Sequence, residues 1–121
     1  MGLDSYMKIV EIKDVIDDFS FKRNETTIEF KYWRKHQHLH NFMRRLFIKK
    51  GGDISISQFN CQHIRVTIED LDFLANDMDW HEVSDSTMDY YSVLDDVQFI
   101  KDSKYFLLNN PDKAMYFYSW Y

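Results

Sequence analysis

The stretch TTIEFKYWRKHQHLHNFMRRLFIKKGG, residues 26–52, contains a change of period that sets the fold class. Its start, TTIEFKYW (26–33), is rich in β-branched and aromatic residues, which suit a pleated, half-buried surface. Alternation places Ile28, Phe30 and Tyr32 on one face and Glu29 and Lys31 on the other, so a strand is expected. From residue 34 the spacing becomes helical. Leu39, Phe42, Met43, Leu46 and Phe47 fall at i, i+3, i+4, i+7 and i+8, one apolar stripe on a helix over 34–50. Gly51-Gly52 then ends it, because glycine accepts the left-handed turn that closes a helix.

Outward from this unit the same two periods recur. YMKIVEIK (6–13) alternates loosely and reads as a strand, and residues 14–25 as a connection. A further strand is expected over 58–66, around HIRV. Thr67, with Asp70 three residues on, is a good start for a second helix that carries Ile68, Leu71 and Leu74 and runs to about Met78. A polar loop follows over 79–89. A third helix over 93–108 is built on Leu94, Val97, Ile100, Phe106 and Leu107. Asn109-Asn110-Pro111-Asp112 is a turn, and KAMYFYSWY closes the chain as an aromatic strand. The expected class is α+β: a single small domain over 1–121, with a small antiparallel or mixed sheet packed with about three helices.

Composition agrees with one packed domain. Of 121 residues, 45% are hydrophobic and 17% aromatic, so large rings supply much of the burial. Three Gly and one Pro leave little room for a linker. The lone Cys61 cannot form an internal disulfide, which points to an intracellular, cytoplasmic chain. The start MGLDSYMKIVEIKD has no long apolar run, and position 6 is Tyr6 where myristoylation needs Ser or Thr. No stretch approaches a membrane span, so no membrane partner is expected.

Net charge is −5, unevenly spread. Lys31 to Lys50 holds seven cations and no acid, whereas Thr67 to Asp102 holds eleven acids and only Lys101 as a cation. The first segment suits an anion; the second suits solvation of two helices or imitation of nucleic acid.

Three constellations could carry chemistry. His36 and His40 stand one helical turn apart, with His38 pointing elsewhere. A zinc site would need further ligands, for which Cys61, His63 and His81 are the candidates, but no HExxH or CxxC spacing is present. Both histidines also border the apolar stripe, so packing explains them and no metal or cofactor is expected. Cys61 with His63 two residues on could form a nucleophile and base, yet a lone Cys is common in cores. The strand-to-helix junction is the third. Tyr32 and Trp33 offer rings, and Arg34 and Lys35 offer charge at the positive end of a helix. With His40 nearby and Arg45 further along the polar face, Tyr32, Trp33, Arg34, Lys35, His40 and Arg45 form the candidate ligand site. The competing reading puts Tyr32 and Trp33 in the core and leaves the cations as a solvated face.

Several blocks together resemble one family. MGLDSYM resembles its MGLDMYL start, and KYWRKHQHLHNFM its YWRK-x-x-x-LH/IH block. FNC (59–61) resembles a short block ending in Cys, TIEDL a TxEDL helix start, and MYFYSWY a YYxSW terminus. The family consists of small proteins of bacteriophages, prophages and bacteria, often labelled phosphoglycerate kinase. A chain of 121 residues without a Gly-rich phosphate loop cannot form that two-domain enzyme. The sequence departs from the family at DSTMDYYSV (85–93), where a GFFFG-like block is usual. The resemblance implies a phage-encoded accessory protein that counters host defence.

Three functions compete. The first is a non-enzymatic protein binding an anionic, nucleotide-like ligand. The second is an acidic inhibitor, anti-CRISPR-like, that contacts a host defence protein by mimicking nucleic acid. The third is a small Cys/His enzyme. Self-association is left open.

Overall fold

The computed structural model of the chain describes residues 2–55, 59–76 and 93–121. Four strands and three α-helices lie among them: β1 (Asp4–Glu11), β2 (Ile28–Arg34), α1 (Gln37–Lys49), β3 (Gln62–Arg65), α2 (Ile68–Asn76), α3 (Val93–Asn109) and β4 (Lys113–Trp120). The strands form one antiparallel sheet in the order β2-β1-β4-β3, so the class is α+β. The expected loop over 79–89, the end of the second helix near Met78, and His81 lie outside the described residues.

Register decides which side chains share a face. β1 and β4 pair along their whole length, with Ser5 opposite Ser119, Met7 opposite Phe117 and Ile9 opposite Met115. With a side-chain period of two, these six residues point to one face. They are buried there with Ile64 of β3, the stripe Leu39, Phe42, Met43, Leu46 and Phe47 of α1, Leu71 and Leu74 of α2, and Phe99 and Ile100 of α3. All three helices therefore cover one side of the sheet.

β2 departs from simple alternation. The register shifts between Met7 and Lys8, which leaves Phe30 as an extra residue opposite them. A bulge of this kind puts residues of both parities on one side. Phe30 and Trp33 both reach the helical side, Phe30 against Phe106 and Trp33 edge-on to Phe99. Tyr32, expected beside Phe30, instead opens onto the opposite face and is 42% exposed.

α1 starts three residues later than its pattern predicts. Arg34 still belongs to β2, and Lys35 turns the chain with a φ of 58°. His36 then caps the helix, its Nδ1 accepting from the Leu39 N–H at 3.4 Å. At the other end the Gly52 N–H bonds the Phe47 carbonyl at 2.8 Å, and Gly51 adopts a φ of 102°.

α2 begins as expected. The Thr67 N–H donates to Asp70 Oδ2 at 2.9 Å, and the Asp70 N–H donates back to Thr67 Oγ1 at 3.3 Å. α3 keeps Ile100, Phe106 and Leu107 of its expected face against the core, but its N-terminal part differs. Asp96, Phe99, Ile100 and Ser103 are buried, while Leu94 is 79% exposed. The buried stripe carries two polar members, Asp96 and Ser103, which counting apolar residues alone leaves out.

On the other side of the sheet, residues 12–24 form a strap. A bridge between Val15 and Phe21 closes it, and the Tyr116 hydroxyl bonds the Asp17 carbonyl at 2.5 Å and the Ser20 carbonyl at 3.1 Å. Val15 and Phe21 cover Val10, Ala114 and Tyr116. The strap buries one end of the outer face and leaves the other end uncovered by any described element.

Candidate functional site

The uncovered end of the outer sheet face carries a row of rings, one from each strand. Tyr32 of β2 pairs with Tyr6 of β1, Tyr6 with Tyr118 of β4, and Tyr118 with His63 of β3. Directly paired residues on adjacent strands stand close enough for their rings to interact. Centroids are 5.1 Å apart for Tyr32–Tyr6, 6.2 Å for Tyr6–Tyr118 and 4.6 Å for Tyr118–His63. Phe21 of the strap closes the row edge-on against His63, centroids 5.0 Å apart.

A cation sits over the row. Lys8 lies two residues beyond Tyr6 on β1, so it shares that face. Its Nζ is 4.3 Å from the Tyr118 ring centre and 3.1 Å from His63 Nε2. The ammonium donates, so His63 accepts at Nε2 and is neutral. Burial, then the charges of Lys8 and Arg23, push His63 down to about 4. Lys8 is itself lowered, by burial first and then by Arg23.

The phenols stay protonated. Tyr32 donates to Asp4 Oδ1 at 2.6 Å, and that bond pushes it up to about 12. Tyr118 rises to about 12 through its hydrogen bond with Cys61 and through burial. Burial and the charges of Asp4 and Glu29 raise Tyr6. The face thus presents neutral rings and ammonium charge, which suits stacking and ion pairing rather than proton transfer.

Beside Lys8, between the strap and β2, is a hollow of about 250 Å³ lined by Lys8, Arg23, Asn24, Thr27, Ile28 and Glu29. It adjoins the ring row through Lys8.

The candidate site residues fall on different sides of the sheet. Tyr32 belongs to the ring row, and Arg34 follows it on β2. Trp33 is 1% exposed and lies in the core. His40 is also buried; its Nδ1 meets Ser119 Oγ at 2.9 Å, and Ser119 meets Ser5 Oγ at 3.0 Å. Burial, then Arg44, holds His40 down to about 4. Lys35 is exposed at the turn, its N–H bonded to the Leu3 carbonyl at 2.7 Å. Arg45 stands on the helical side, over the Phe42 ring at 5.9 Å. The junction also holds an internal carboxylate: His36 Nε2 and Asp96 Oδ1 meet at 2.8 Å, both buried.

The histidine and cysteine constellations resolve in the same way. His36 and His40 are buried at the edge of the apolar stripe, as their packing predicts. No group of three or more His, Cys, Asp or Glu able to hold a metal occurs among the described residues. Cys61 is exposed, with a φ of 60°, and its Sγ is 3.7 Å from Asn60 Oδ1. Among the described residues no hydrogen bond joins Cys61 to His63, whose Nε2 is taken by Lys8. Nor is any helix among them long and apolar enough to cross a membrane.

Of this ring row, sequence reading singles out Tyr32 and does not group Tyr6, Tyr118, Lys8 and His63 with it. Each lies on a different strand except Tyr6 and Lys8, and only strand order brings them together. In comparison with known proteins, no family model, no curated protein and no solved structure matches the chain.

Proposed function

We propose that this α+β protein is a non-catalytic binding protein. It receives a flat, anionic, nucleotide-like ligand on the outer face of its sheet. The observation that carries this reading is the row Tyr32–Tyr6–Tyr118–His63 with the Lys8 ammonium over Tyr118. A base has a π-face that stacks on such rings, worth about 1–3 kcal/mol per base. A cation beside the rings selects an anionic ligand over a neutral one. The biological role follows the family resemblance: a phage-encoded protein that counters host defence by sequestering a signal nucleotide in the host cytoplasm.

A competing reading is contact with a basic groove through the acids of 67–102; four of the acids among the described residues have partners within the fold. Asp70 is held by Lys50 and Thr67, Asp72 by Lys104, Asp96 by His36 and Asp102 by Gln98. These four carboxylates serve the fold, which weighs against their use in such a contact.

Calorimetric titration of adenosine, guanosine, cytidine and uridine nucleotides into the native protein, Tyr6→Ala, Tyr118→Ala and Arg34→Ala tests the proposal. Heat with the native protein that is lost in the tyrosine variants supports it. No heat with any nucleotide removes it.

A further inference from the structure

We infer that Asp4 reads the base on this face and selects guanine, a role that rests on the proposed stacking of a nucleotide on the ring row. It adds a named base and a direction for the ligand across the sheet.

β1 carries the pattern. From Asp4 to Ile9 its residues alternate half-buried and buried, and Asp4, Tyr6 and Lys8 are the half-buried ones. All three meet the ring row. The Tyr32 hydroxyl donates to Asp4 Oδ1 at 2.6 Å, Tyr6 stacks between Tyr32 and Tyr118, and Lys8 Nζ stands 4.3 Å from the Tyr118 ring centre. The order along the strand is therefore carboxylate, ring, ammonium, over about 13 Å of backbone. A nucleotide has the matching order: base edge, flat ring system, phosphate. Its phosphate belongs at Lys8, because at Asp4 it would meet a like charge. That direction brings the base edge to Asp4.

A carboxylate accepts hydrogen bonds and does not donate them, so it discriminates among bases. Guanine offers two adjacent donors on one edge, the ring N1–H and the 2-amino group. Adenine and cytosine each place a bare ring nitrogen beside their amino group, and that lone pair faces the carboxylate unfavourably. Uracil has one N–H between two carbonyls. Two parallel N–H···O bonds to a carboxylate are the strong, oriented arrangement, and guanine alone of the four supplies both donors.

Asp4 has the acceptor sites for this. An ionised carboxylate has about four lone-pair sites, and Tyr32 takes one of them. The same bond steadies the carboxylate beside the rings. What the base edge needs is lone pairs rather than uncompensated charge, so Arg34, opposite Asp4 in the β1–β2 register, is compatible with the role. Glu29 stands opposite Lys8 in that register, at the phosphate end, and leaves the choice of base untouched.

Trp120 favours a large base. It lies opposite Asp4 in the β1–β4 register, two residues beyond Tyr118 on the same face, and is 53% exposed. The ring surface thus continues from Tyr118 to the carboxylate. A fused purine covers more of it than a single pyrimidine ring, and stacking grows with the area covered.

The test is calorimetric titration of GMP, IMP and AMP at pH 7.5 into native protein, Asp4→Asn and Tyr6→Ala, with circular dichroism to confirm folding. The three ligands carry the same phosphate, so their comparison cancels the Lys8 end. IMP keeps the N1–H and lacks the 2-amino group. GMP should bind native protein about tenfold more tightly than AMP, with IMP between them. Asparagine keeps an acceptor for Tyr32 but turns a donor toward the base. Asp4→Asn should therefore weaken GMP about tenfold and leave AMP unchanged or tighter. AMP binding as tightly as GMP, a GMP preference that survives Asp4→Asn, or equal weakening of GMP and AMP in folded Asp4→Asn overturns the role of Asp4. If binding is still lost in Tyr6→Ala, the ring row stands without it. No binding by any of the three nucleotides removes both.

Discussion

Lys8 on β1 donates to His63 on β3 at 3.1 Å, passing over the Tyr118 ring of the strand between them. The contact requires a neutral imidazole, because a protonated His63 would face the ammonium with a second positive charge. The folded protein holds His63 at about 4, and His40, buried against Ser119, at about 4 as well.

Both values lie below the ordinary histidine value of 6.5, so the unfolded chain takes up protons before the folded one does. The histidine contribution to stability should be flat from about pH 7 upward and fall as pH drops from about 6.5 toward 4. The loss should be on the order of 2 kcal/mol for buried His40 and smaller for partly exposed His63. Urea denaturation at pH 7.5, 6 and 5 measures it. His63→Gln, which keeps an acceptor for Lys8 and does not titrate, should show a shallower fall.

Gly52→Ala should destabilise the fold by about 1–3 kcal/mol, because the new methyl group overlaps the Phe47 ring. That ring cannot swing aside easily: it packs edge-on against Phe19 at 5.1 Å and tilted against Phe59 at 5.2 Å. Thermal unfolding of the variant checks this. Gly51→Ala acts through a different cause, the backbone at φ 102°, and should cost about 1 kcal/mol.

His36 and Asp96 join α1 to α3 inside the core. Asp96→Ala should cost about 1–3 kcal/mol, since it removes the carboxylate that is hydrogen-bonded to the Nε2 of a buried histidine. The double variant His36→Leu/Asp96→Leu should be less destabilised than the sum of its single leucine variants. A thermodynamic cycle on the four proteins reads that coupling directly.

Trp33→Ala should cost about 3–5 kcal/mol, as it empties a core site packed at 4.7 Å against Phe99. Trp33→Phe should retain nucleotide binding, because the ring faces the helices and not the ligand. Loss of binding in a fully folded Trp33→Phe protein would move the site to the strand-to-helix junction.

Local pattern carried much of this fold. The α1 stripe, the Thr67–Asp70 cap, the glycine stop and the closing strand all depend on neighbours within about one turn or one strand, so their residues state them openly. α3 was harder to read because Asp96 and Ser103 occupy core positions. Polarity normally marks a solvent face, and Asp96 inverts that rule through a partner on another helix. Alternation alone puts Tyr32 beside Phe30, and the bulge that separates them arises only where β2 meets β1.

The amino-acid sequence by itself determined the element types, the single domain and the α+β class, because periodicity is a local property. Tertiary structure alone decided the ring row. Tyr6, Tyr32, His63 and Tyr118 are separated in sequence and become one row only when β2-β1-β4-β3 order and register align them. Strand pairing brings together residues that are distant along the chain, and no local period records which strands will meet.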